Sequence, residues 1–485
     1  MLLYMHIFIS QMNRYAVRLC LTVLLLLPPF LASYAGEGRG VIRNLNDTLP
    51  SRWVYNEHFD QTIPTDDGWW KKFNDPLLDS LIAMGVNNNY NVAMAARRME
   101  MARLTMLEAR SAYFPSFNLD AGWTKARNSG AISSPVMPAT NESYFSLGID
   151  MSWQIDLFGK ITSGVKAKKA SWEASRAEYA GAMVSLCGDI ANAYFQLRVL
   201  QAEEAVANEH LLSQEKVVKI TEARFECGLA SMLDVSQART VYHSTKATLP
   251  ALTAGINTSL NAIAVLLAVT TDYARDLLYK PRPLPSYLQM VATGIPMDLL
   301  RRRPDIVSAE KELAAYAAEL GIAKKDFLPT LTLNGSIGTS AHKIGDMFSK
   351  DSFTYSIAPT LSWTIFDGLE RKYNVAMARE NMQLGIDNYN LTVLNALQEV
   401  DNAMVNYVQT ITQIGELNMV VEESQRSLDL SLDLYKKGLS SFTNVVDAQL
   451  NYLTYTNSVI VAQGNALKDL VNIYEALGGG WEINF

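Results

Sequence analysis

One phrase occurs twice in this sequence. WQIDLFGK begins at Trp153, and WTIFDGLE begins at Trp363, about 210 residues later. The same order of segments surrounds each copy: a helix, a strand, a polar loop, a second strand, a very long helix, a glycine turn and a returning helix. Pro115 in the first half matches Pro329 in the second. The chain therefore builds one structural unit twice, and its fold must accommodate both copies.

The predicted strands of both units alternate between apolar and polar side chains. They cover about residues 116–128 and 144–157 in the first unit, and 330–340 and 353–366 in the second. Every odd position from Phe145 to Leu157 is apolar, and the positions between them are polar or glycine. Such lengths match the roughly 9–11 residues that cross an outer membrane at a tilt. A half-buried soluble sheet would alternate in the same way, so the strands alone leave both structures open.

Four strands are too few to close a barrel, and an open sheet edge does not occur in lipid. If the strands span a membrane, the chain must oligomerise to close the barrel. A homotrimer, which would supply twelve strands, is the simplest arrangement. Aromatic side chains near the strand ends suit the interfacial girdles of such a barrel.

The long helices are the second unusual feature. Residues 160–226 and 369–437 contain no proline and few glycines, so each predicts a helix of about 100 Å at 1.5 Å per residue. Returning helices are predicted at 229–268 and 440–477. Apolar residues recur at spacings of three and four, which indicates coiled-coil packing. Ordinary long bundle helices would show the same periodicity.

Residues 1–35 have the features of a secretory signal peptide. Arg14 and Arg18 precede the apolar run Leu19–Leu27, and Ser33–Ala35 supplies a small-residue cleavage site. Cys20 lies at the start of this run, whereas a lipid-anchor cysteine should follow it. Cys20 is therefore not expected to carry a lipid.

The remaining boundaries follow from the repeat. Pro304 and Asp305 suit the start of a helix, and Arg301–Arg303 are expected to tie the preceding segment to neighbouring acids. After the signal peptide the chain divides into an N-terminal extended segment, the first repeat, a linker, the second repeat and a tail, which cover residues 36–75, 76–269, 270–303, 304–477 and 478–485.

Charge and motifs exclude several functions. The net charge of -7 becomes -9 without the two arginines of the signal peptide, so nucleic acid is not expected as a partner. The five histidines have no metal-ligand spacing. Cys187 and Cys227 fall in one predicted helix about 60 Å apart, too far for a disulfide. No nucleophile, zinc or phosphate-loop motif is present, so we expect neither an enzyme nor a cofactor.

Several stretches together carry a family resemblance. They are GIPMDLLRRRPDIVSAEKELAAYAAELGIAKKDFLPTLTL from Gly294, GWWKKFNDPLLDSLI from Gly68, VVDAQ, ALGGGW and the two tryptophan phrases. Over about residues 50–482 the chain resembles the outer membrane efflux protein family, the TolC-like trimeric channels. Within it, the chain is most similar to the OprM-like branch that serves resistance-nodulation-division pumps. Many members of this branch carry a lipidated cysteine after the signal, where this chain has Gly36–Gly38.

The resemblance implies fold, partners and location. The expected fold is an α+β membrane protein: a homotrimer whose twelve-stranded β-barrel in outer-membrane lipid continues into a long periplasmic α-helical barrel. The segments before, between and after the repeats would form an equatorial collar. The implied function is that of a passive exit duct for small molecules, served by a periplasmic adaptor and an inner-membrane proton-driven pump. A protein-secretion duct and a non-transport periplasmic coiled-coil scaffold remain as alternatives.

The resemblance also implies a gate near the second helical turn. Asp447, in VVDAQ, occupies the position of a family aspartate that points into the closed periplasmic aperture, and Thr443 lies one turn earlier on the same face. The first repeat offers Asp234 and has Gln237 where the second has Asp447, while Asn444 replaces Asp234. The alternative is that Asp447 only caps or pairs on a coiled-coil surface.

The helix-to-helix turns are the candidate adaptor-docking points. Glycine permits a tight reversal between long helices. A leucine follows each glycine, which gives the pairs Gly228–Leu229 and Gly438–Leu439.

Overall fold

The computed structural model describes residues 53, 59, 68–129, 140–285, 293, 296 and 302–479. The predicted signal peptide with Cys20, most of segment 36–75, part of the linker and the tail beyond Gly479 lie outside the described residues. All described residues belong to one structural unit, Pro50–Phe485.

In the first repeat two helices precede a β-hairpin and two follow it. These elements are α1 (Pro76–Asn88), α2 (Tyr90–Ser111), β1 (Ser116–Asn128), β2 (Thr140–Ile155), α3 (Lys160–Glu226) and α4 (Met232–Leu267). A 3-10 turn, Trp69–Phe73, comes before α1, and a short helix α5 (Thr271–Leu278) lies in the predicted linker.

The second repeat has the same order. Its elements are α6 (Pro304–Lys325), β3 (Thr330–Ala341), β4 (Phe353–Ser362), α7 (Glu370–Lys436) and α8 (Phe442–Ala476). Two 3-10 turns, Ile344–Asp346 and Lys350–Ser352, occupy the loop between β3 and β4. Each long helix has 67 residues.

Side-chain caps fix several helix starts. The Asp75 carboxylate accepts a hydrogen bond from the Leu77 N–H at 3.0 Å, and Pro76 takes the first position of α1, where no N–H is needed. Asn89 caps α2 by accepting from the N–H groups of Asn91 and Val92.

Two predicted strands have different ends in the structure. β2 begins at Thr140 rather than residue 144, because β1 continues to pair with it as far as Asn128. It stops at Ile155 rather than 157, because the Asp156 carboxylate accepts hydrogen bonds from the N–H groups of Ile161 and Thr162 and thereby starts α3.

β4 ends at Ser362 rather than at residue 366. The Trp363 indole N–H donates to the Phe327 carbonyl at 2.9 Å, and the Thr364 carbonyl accepts from Arg371 at 2.6 Å. These bonds replace the strand ladder although the apolar alternation continues. The returning helices also begin later than predicted, at Met232 and Phe442, because each long helix first completes a glycine turn.

The four strands form one antiparallel sheet in the order β1-β2-β3-β4. β2 pairs with β1 on one side and with β3 on the other, and β3 pairs with β4. The outer edges of β1 and β4 pair with no strand of the described chain. The sheet is therefore open at both edges within one protomer.

The two faces of the sheet differ in chemistry. One row across all four strands is apolar and exposed, and consists of Leu119, Ile149, Ile337 and Tyr355. The adjacent row points to the other face and is polar, with Asn118, Asp150, Ser336 and Ser356. An uncovered apolar face opposite a polar face is typical of outer-membrane strands.

The repeated tryptophans occupy equivalent junctions. The Trp153 indole N–H donates to the Tyr113 carbonyl at 3.0 Å, just as Trp363 donates to Phe327. Each acceptor lies two residues before the proline that precedes a strand. Each bond therefore joins the start of one strand to the end of the next. A glycine with positive φ, Gly159 or Gly368, then turns the chain toward the long helix.

Helix α6 lies between the two long helices and packs against both α3 and α7. Small side chains recur at heptad spacing along the adjoining part of α3, including Ser163, Ala167, Ala170, Ala174 and Ala177, all of which are buried. Ser163 accepts a hydrogen bond from Lys325 at the end of α6. Small residues allow helices to approach closely, so α6 joins the repeats tightly.

A core of large side chains lies midway along the long helices. Trp69 stacks on Tyr474 with ring centroids 5.3 Å apart. The fully buried Arg198 donates to Gln201 and to the carbonyl of Lys280, which ties the segment after α5 to α3. The sequence also predicts that arginines 301–303 tie the linker to neighbouring acids, and Arg301 lies outside the described residues. Arg303 pairs with Asp305 at 2.7 Å and with Glu399 at 2.6 Å.

Candidate functional site

The long helices end in two turns of equivalent backbone geometry. In each turn, the N–H groups of the glycine and of the following leucine return to carbonyls three and five residues earlier, at 2.8–3.0 Å. This is the Schellman arrangement. Gly228 and Gly438 both have φ of 75°. Leu229 and Leu439 are 66% and 72% exposed, so an uncovered leucine stands at each turn.

The first turn is followed by a complete capping box. The Ser231 hydroxyl accepts from the Asp234 N–H, and the Asp234 carboxylate accepts from the Ser231 N–H, both at 3.3 Å. The Asp234 side chain is therefore committed to the start of α4, where its negative charge also suits the helix dipole.

The second turn lacks this box. Ser441 precedes α8 without a side-chain cap. Asn444, which replaces the capping aspartate, instead donates from its amide to the Ser440 hydroxyl at 2.9 Å.

Asp447 and Thr443 lie on one face at the start of α8, and both are exposed in the protomer. The Asp447 carboxylate has no hydrogen bond or ion pair to any described residue of the same chain. Gln237 occupies the matching position in α4, where it is half-buried and uncharged. The structure thus distinguishes the two predicted aperture positions by charge and by exposure.

A cross-hairpin cluster of Arg224, Asp234 and Tyr435 joins the two turns. The Arg224 guanidinium lies over the Tyr435 ring at 4.9 Å and donates to the Lys436 carbonyl at 2.7 Å. The Tyr435 hydroxyl donates to Asp234 over 3.5 Å. Burial, and then the neighbouring charge of Asp234, raise the pKa of Tyr435. The cluster therefore fastens the end of α7 to the first hairpin.

An apolar core, the tip core, underlies this cluster. Its buried members are Val217, Ala238, Tyr435, Phe442 and Val445. Tyr435 and Phe442 meet edge to face with ring centroids 5.0 Å apart. The tip core draws side chains from both hairpins, so the hairpins separate only if it is exposed to water.

Sequence reasoning identified Asp234 but missed Arg224, Tyr435 and Phe442. The one available signal is the repeat, because Tyr435 and Phe225 are aromatic residues at equivalent positions before the turn glycines. Phe225 is 44% exposed, whereas Tyr435 is buried, so the repeat alone does not indicate the contact.

The described residues show no metal site. No group of three or more His, Cys, Asp or Glu side chains among them is arranged to hold a metal ion. Cys187 is buried and Cys227 is exposed, and both are free thiols.

The sequence matches the family model described as outer membrane efflux protein over residues 81–269 and 295–479, which follow the two repeats. The solvent efflux pump outer membrane protein SrpC of Pseudomonas putida is 29% identical over 415 residues, 85% of this chain and 87% of that protein. Nodulation protein T of Rhizobium leguminosarum bv. trifolii is 30% identical over 418 residues, 85% of this chain and 88% of that protein.

A solved structure agrees with these relatives. The outer-membrane channel OprN matches 89% of this chain and 97% of its own, with a TM-score of 0.84 and 28% identity. Repeat, fold and relatives thus lead to one conclusion: the chain belongs to the outer membrane efflux protein family.

Proposed function

We propose that the protein is the exit duct of a tripartite efflux system, a passive channel for small molecules that runs from the periplasm through the outer membrane. The observation that carries this proposal is the strand-to-helix junction, which occurs twice. At each junction a two-faced sheet continues directly into a helix of 67 residues. Such a helix spans about 100 Å, a length suited to crossing the periplasm.

The open sheet supports a homotrimer. Unpaired backbone groups at the edges of β1 and β4 would be costly in lipid. Three copies close the sheet into a barrel of twelve strands, with the exposed apolar face toward lipid. The polar face then lines the lumen, as in outer-membrane barrels.

The helices support the same assembly. α6 contacts both long helices, whereas its repeat counterpart α2 packs chiefly against α3. The uncovered side of α2 carries large apolar side chains, with Tyr90, Met94, Met101 and Leu104 exposed. α7 likewise exposes Tyr373, Met377, Leu384 and Leu391. The repeat therefore predicts that α2 of one subunit packs on α7 of the next.

Helix α4 adds to this argument. Among the described helices it is the one long and apolar enough to cross a membrane, judged by length and composition only. Just 22% of its most apolar window is buried in the protomer. Because α4 follows the tip turn rather than the sheet, we assign this surface to a neighbouring subunit of the helical barrel.

The turns are the proposed contact with a periplasmic adaptor, which links the duct to an inner-membrane pump of the resistance-nodulation-division class. Leu229 and Leu439 stand exposed on equivalent turns, so a trimer offers six similar apolar contacts in a ring. The duct itself has no energy source, so the proton-driven pump supplies the work.

Asp447 forms the proposed gate, with Thr443 beside it. Three-fold symmetry sets three carboxylates around a narrow axis, where they favour cations and repel one another. The cross-hairpin cluster and the tip core oppose this repulsion by holding the second hairpin against the first. The gate opens when the adaptor moves the second hairpin outward.

Single-channel conductance in planar bilayers tests the gate. Replacing Asp447 with Ala removes the carboxylate ring, so resting conductance should rise and cation selectivity should fall. Asp276→Ala is the matched control, because Asp276 is an exposed aspartate on α5, in the linker rather than at either turn. An Asp447→Ala channel indistinguishable from the wild type would refute the gate.

Crosslinking in cells tests the partners. In a Cys227→Ser background, which removes the exposed native thiol beside the first turn, a cysteine introduced at Leu439 should crosslink to a periplasmic adaptor and recover its pump, whereas one introduced at Asp276 should not. Recovery of a protein-secretion apparatus would favour the first alternative function. A chain that forms no trimer in the outer-membrane fraction would favour the periplasmic scaffold.

A further inference from the structure

A polar groove between α7 and α8 distinguishes the second repeat from the first. The cavity has a volume of about 370 Å³. α7 and α8 each contribute four residues at helical spacing, and none of them is apolar: Asn406, Gln409, Thr410, Gln413, Asn465, Lys468, Asp469 and Asn472. Its volume lies at the small end of the range for ligand pockets.

The first repeat fills the equivalent space. At a displacement of 210 residues, Thr410 corresponds to Leu200 and Asn465 to Gly255. The Leu200 side chain lies 3.3 Å from the point that a Cβ atom on Gly255 would occupy. In the first hairpin, a leucine packed on a glycine thus fills the space between the two helices. In the second hairpin, amide side chains line an open groove at the same place.

The charged residues of the groove are already engaged. Lys468 Nζ donates to Gln196 at 2.5 Å, and the Thr410 hydroxyl donates to Asp469 at 2.8 Å. Burial lowers the pKa of Lys468 and raises that of Asp469. The amides of Asn406, Gln409, Gln413, Asn465 and Asn472 make no hydrogen bond to described residues, so their donors and acceptors are available to a ligand.

The groove opens on the same side of α8 as the gate carboxylate. Asn465 lies 18 residues after Asp447, which is five full helical turns and about 27 Å along the axis. Asn472 lies close to the same line. If Asp447 points into the duct, the groove opens into the duct above it.

We propose that this groove is a transient binding site for neutral solutes rich in amide and hydroxyl groups, with short acetamido saccharides as the fitting class. The inference rests on the proposed duct for the orientation of the groove. Primary amides donate and accept hydrogen bonds, so they complement both groups of such a solute. Passage requires binding weak enough for release, so a dissociation constant in the millimolar range is expected.

Binding of N,N′-diacetylchitobiose to the purified full-length protein in detergent, measured by saturation-transfer NMR and calorimetry, tests the site. Thr410→Leu combined with Asn465→Gly copies the filled arrangement of the first repeat and should weaken binding at least tenfold. Gln413→Ala removes one amide from an exposed position and should weaken binding about threefold. Thr258→Ala, at the first-repeat position matching Lys468, should leave binding unchanged.

The outcomes separate the groove from the duct. Absence of saturable binding, or equal binding by the wild type and both groove variants, overturns the proposed site. Conductance of the same preparation tests the duct independently: a conducting channel that binds no disaccharide refutes the groove alone. A weakening of about threefold in the Gln413→Ala protein supports the site even if the double variant fails to assemble.

Discussion

The two helical hairpins share a backbone but use it differently. Both turn through the same Schellman geometry, with glycines at φ of 75°. In the first hairpin the available carboxylate, Asp234, is held by Ser231 and touched by Tyr435. In the second hairpin Asp447 has no partner among the described residues. The same backbone thus carries one carboxylate, Asp234, that is hydrogen-bonded within the chain. It carries another, Asp447, that is free to interact with a neighbouring subunit or to face the trimer axis.

The difference extends along the helices. Val265 of α4 is 76% exposed, whereas its counterpart in α8, Glu475, is packed against Gly188 of α3. Leu200 fills the first hairpin where amides line the second. The second repeat therefore leaves exposed polar groups, the Asp447 carboxylate and the groove amides, without partners among the described residues, whereas the first repeat satisfies or fills the matching positions. We infer that the first repeat is the static support and the second the moving part.

Removing the Tyr435 ring should have the largest effect on this arrangement. Tyr435→Ala deletes a buried member of the tip core together with its contacts to Arg224 and Asp234, and loss of a buried aromatic ring costs about 3–5 kcal/mol. Phe225→Ala, the matched change in the first repeat, removes a half-exposed ring and should cost far less. Trimer unfolding temperatures in detergent give the comparison. Equal shifts for the two variants would show that Tyr435 does not fasten the hairpins.

The repeat explains how much could be predicted from the sequence. The tryptophan phrases identify two equivalent strand-to-helix junctions, because the tryptophan and the turn glycine of each junction lie within a few residues of each other in the sequence. The fold class derived from them is confirmed by the family match and the OprN superposition. Proline-free stretches similarly predict the long helices, since helix length is a property of consecutive residues.

Contacts between distant segments could not be predicted in this way. Arg224 and Tyr435 are about 210 residues apart, and their meeting depends on how α7 and α8 pack on α3. The apolar alternation continues to Ile365, yet β4 ends at Ser362, because the Trp363 indole donates to the Phe327 carbonyl and Arg371 donates to the Thr364 carbonyl. The roles of Asp447 and Thr443 at an aperture remain predictions, because they require three subunits.

Acidic pH should stabilise the second repeat through Glu475. Burial, and then the charges of Asp189 and Glu399, raise the pKa of Glu475 from 4.5 to about 7. The folded chain therefore retains a proton that the unfolded chain releases, so this stability is full below pH 4.5 and is lost as pH rises through about 7. The shift corresponds to about 3 kcal/mol.

The measurement is the unfolding temperature of the wild type and of Glu475→Gln between pH 4.5 and 8. The difference between them should favour the variant increasingly as pH rises, because the neutral amide cannot ionise. Glu423→Gln, at an exposed position in α7, should show no such trend. A pH-independent difference for Glu475→Gln would mean that this carboxyl titrates normally.

The turn glycines should respond alike. The Cβ atom of an alanine at Gly228 or Gly438 would meet no atom within 4 Å, so the penalty comes only from a left-handed backbone, about 1–2 kcal/mol. Equal losses of stability in the two variants would support equivalent turns. A much larger loss at Gly438 would show that the second turn makes subunit contacts that the first does not.

The smallest expected effect concerns the helix caps, where the hairpins differ most clearly. Ser231→Ala breaks the capping box of α4 and should cost about 1 kcal/mol, whereas Ser441→Ala removes a hydroxyl that caps nothing and should change stability little.

Introducing the missing cap at α8 is a sharper test than removing the existing cap at α4. Asn444→Asp places at the start of α8 the residue that completes the box at α4, so it should stabilise the second hairpin, and Ser441→Ala should then become costly. A double-mutant cycle on Ser441 and Asn444→Asp measures this coupling. If coupling appears while resting conductance stays unchanged, the missing cap has no part in gating; if conductance falls, the uncapped helix start is part of what lets the second hairpin move.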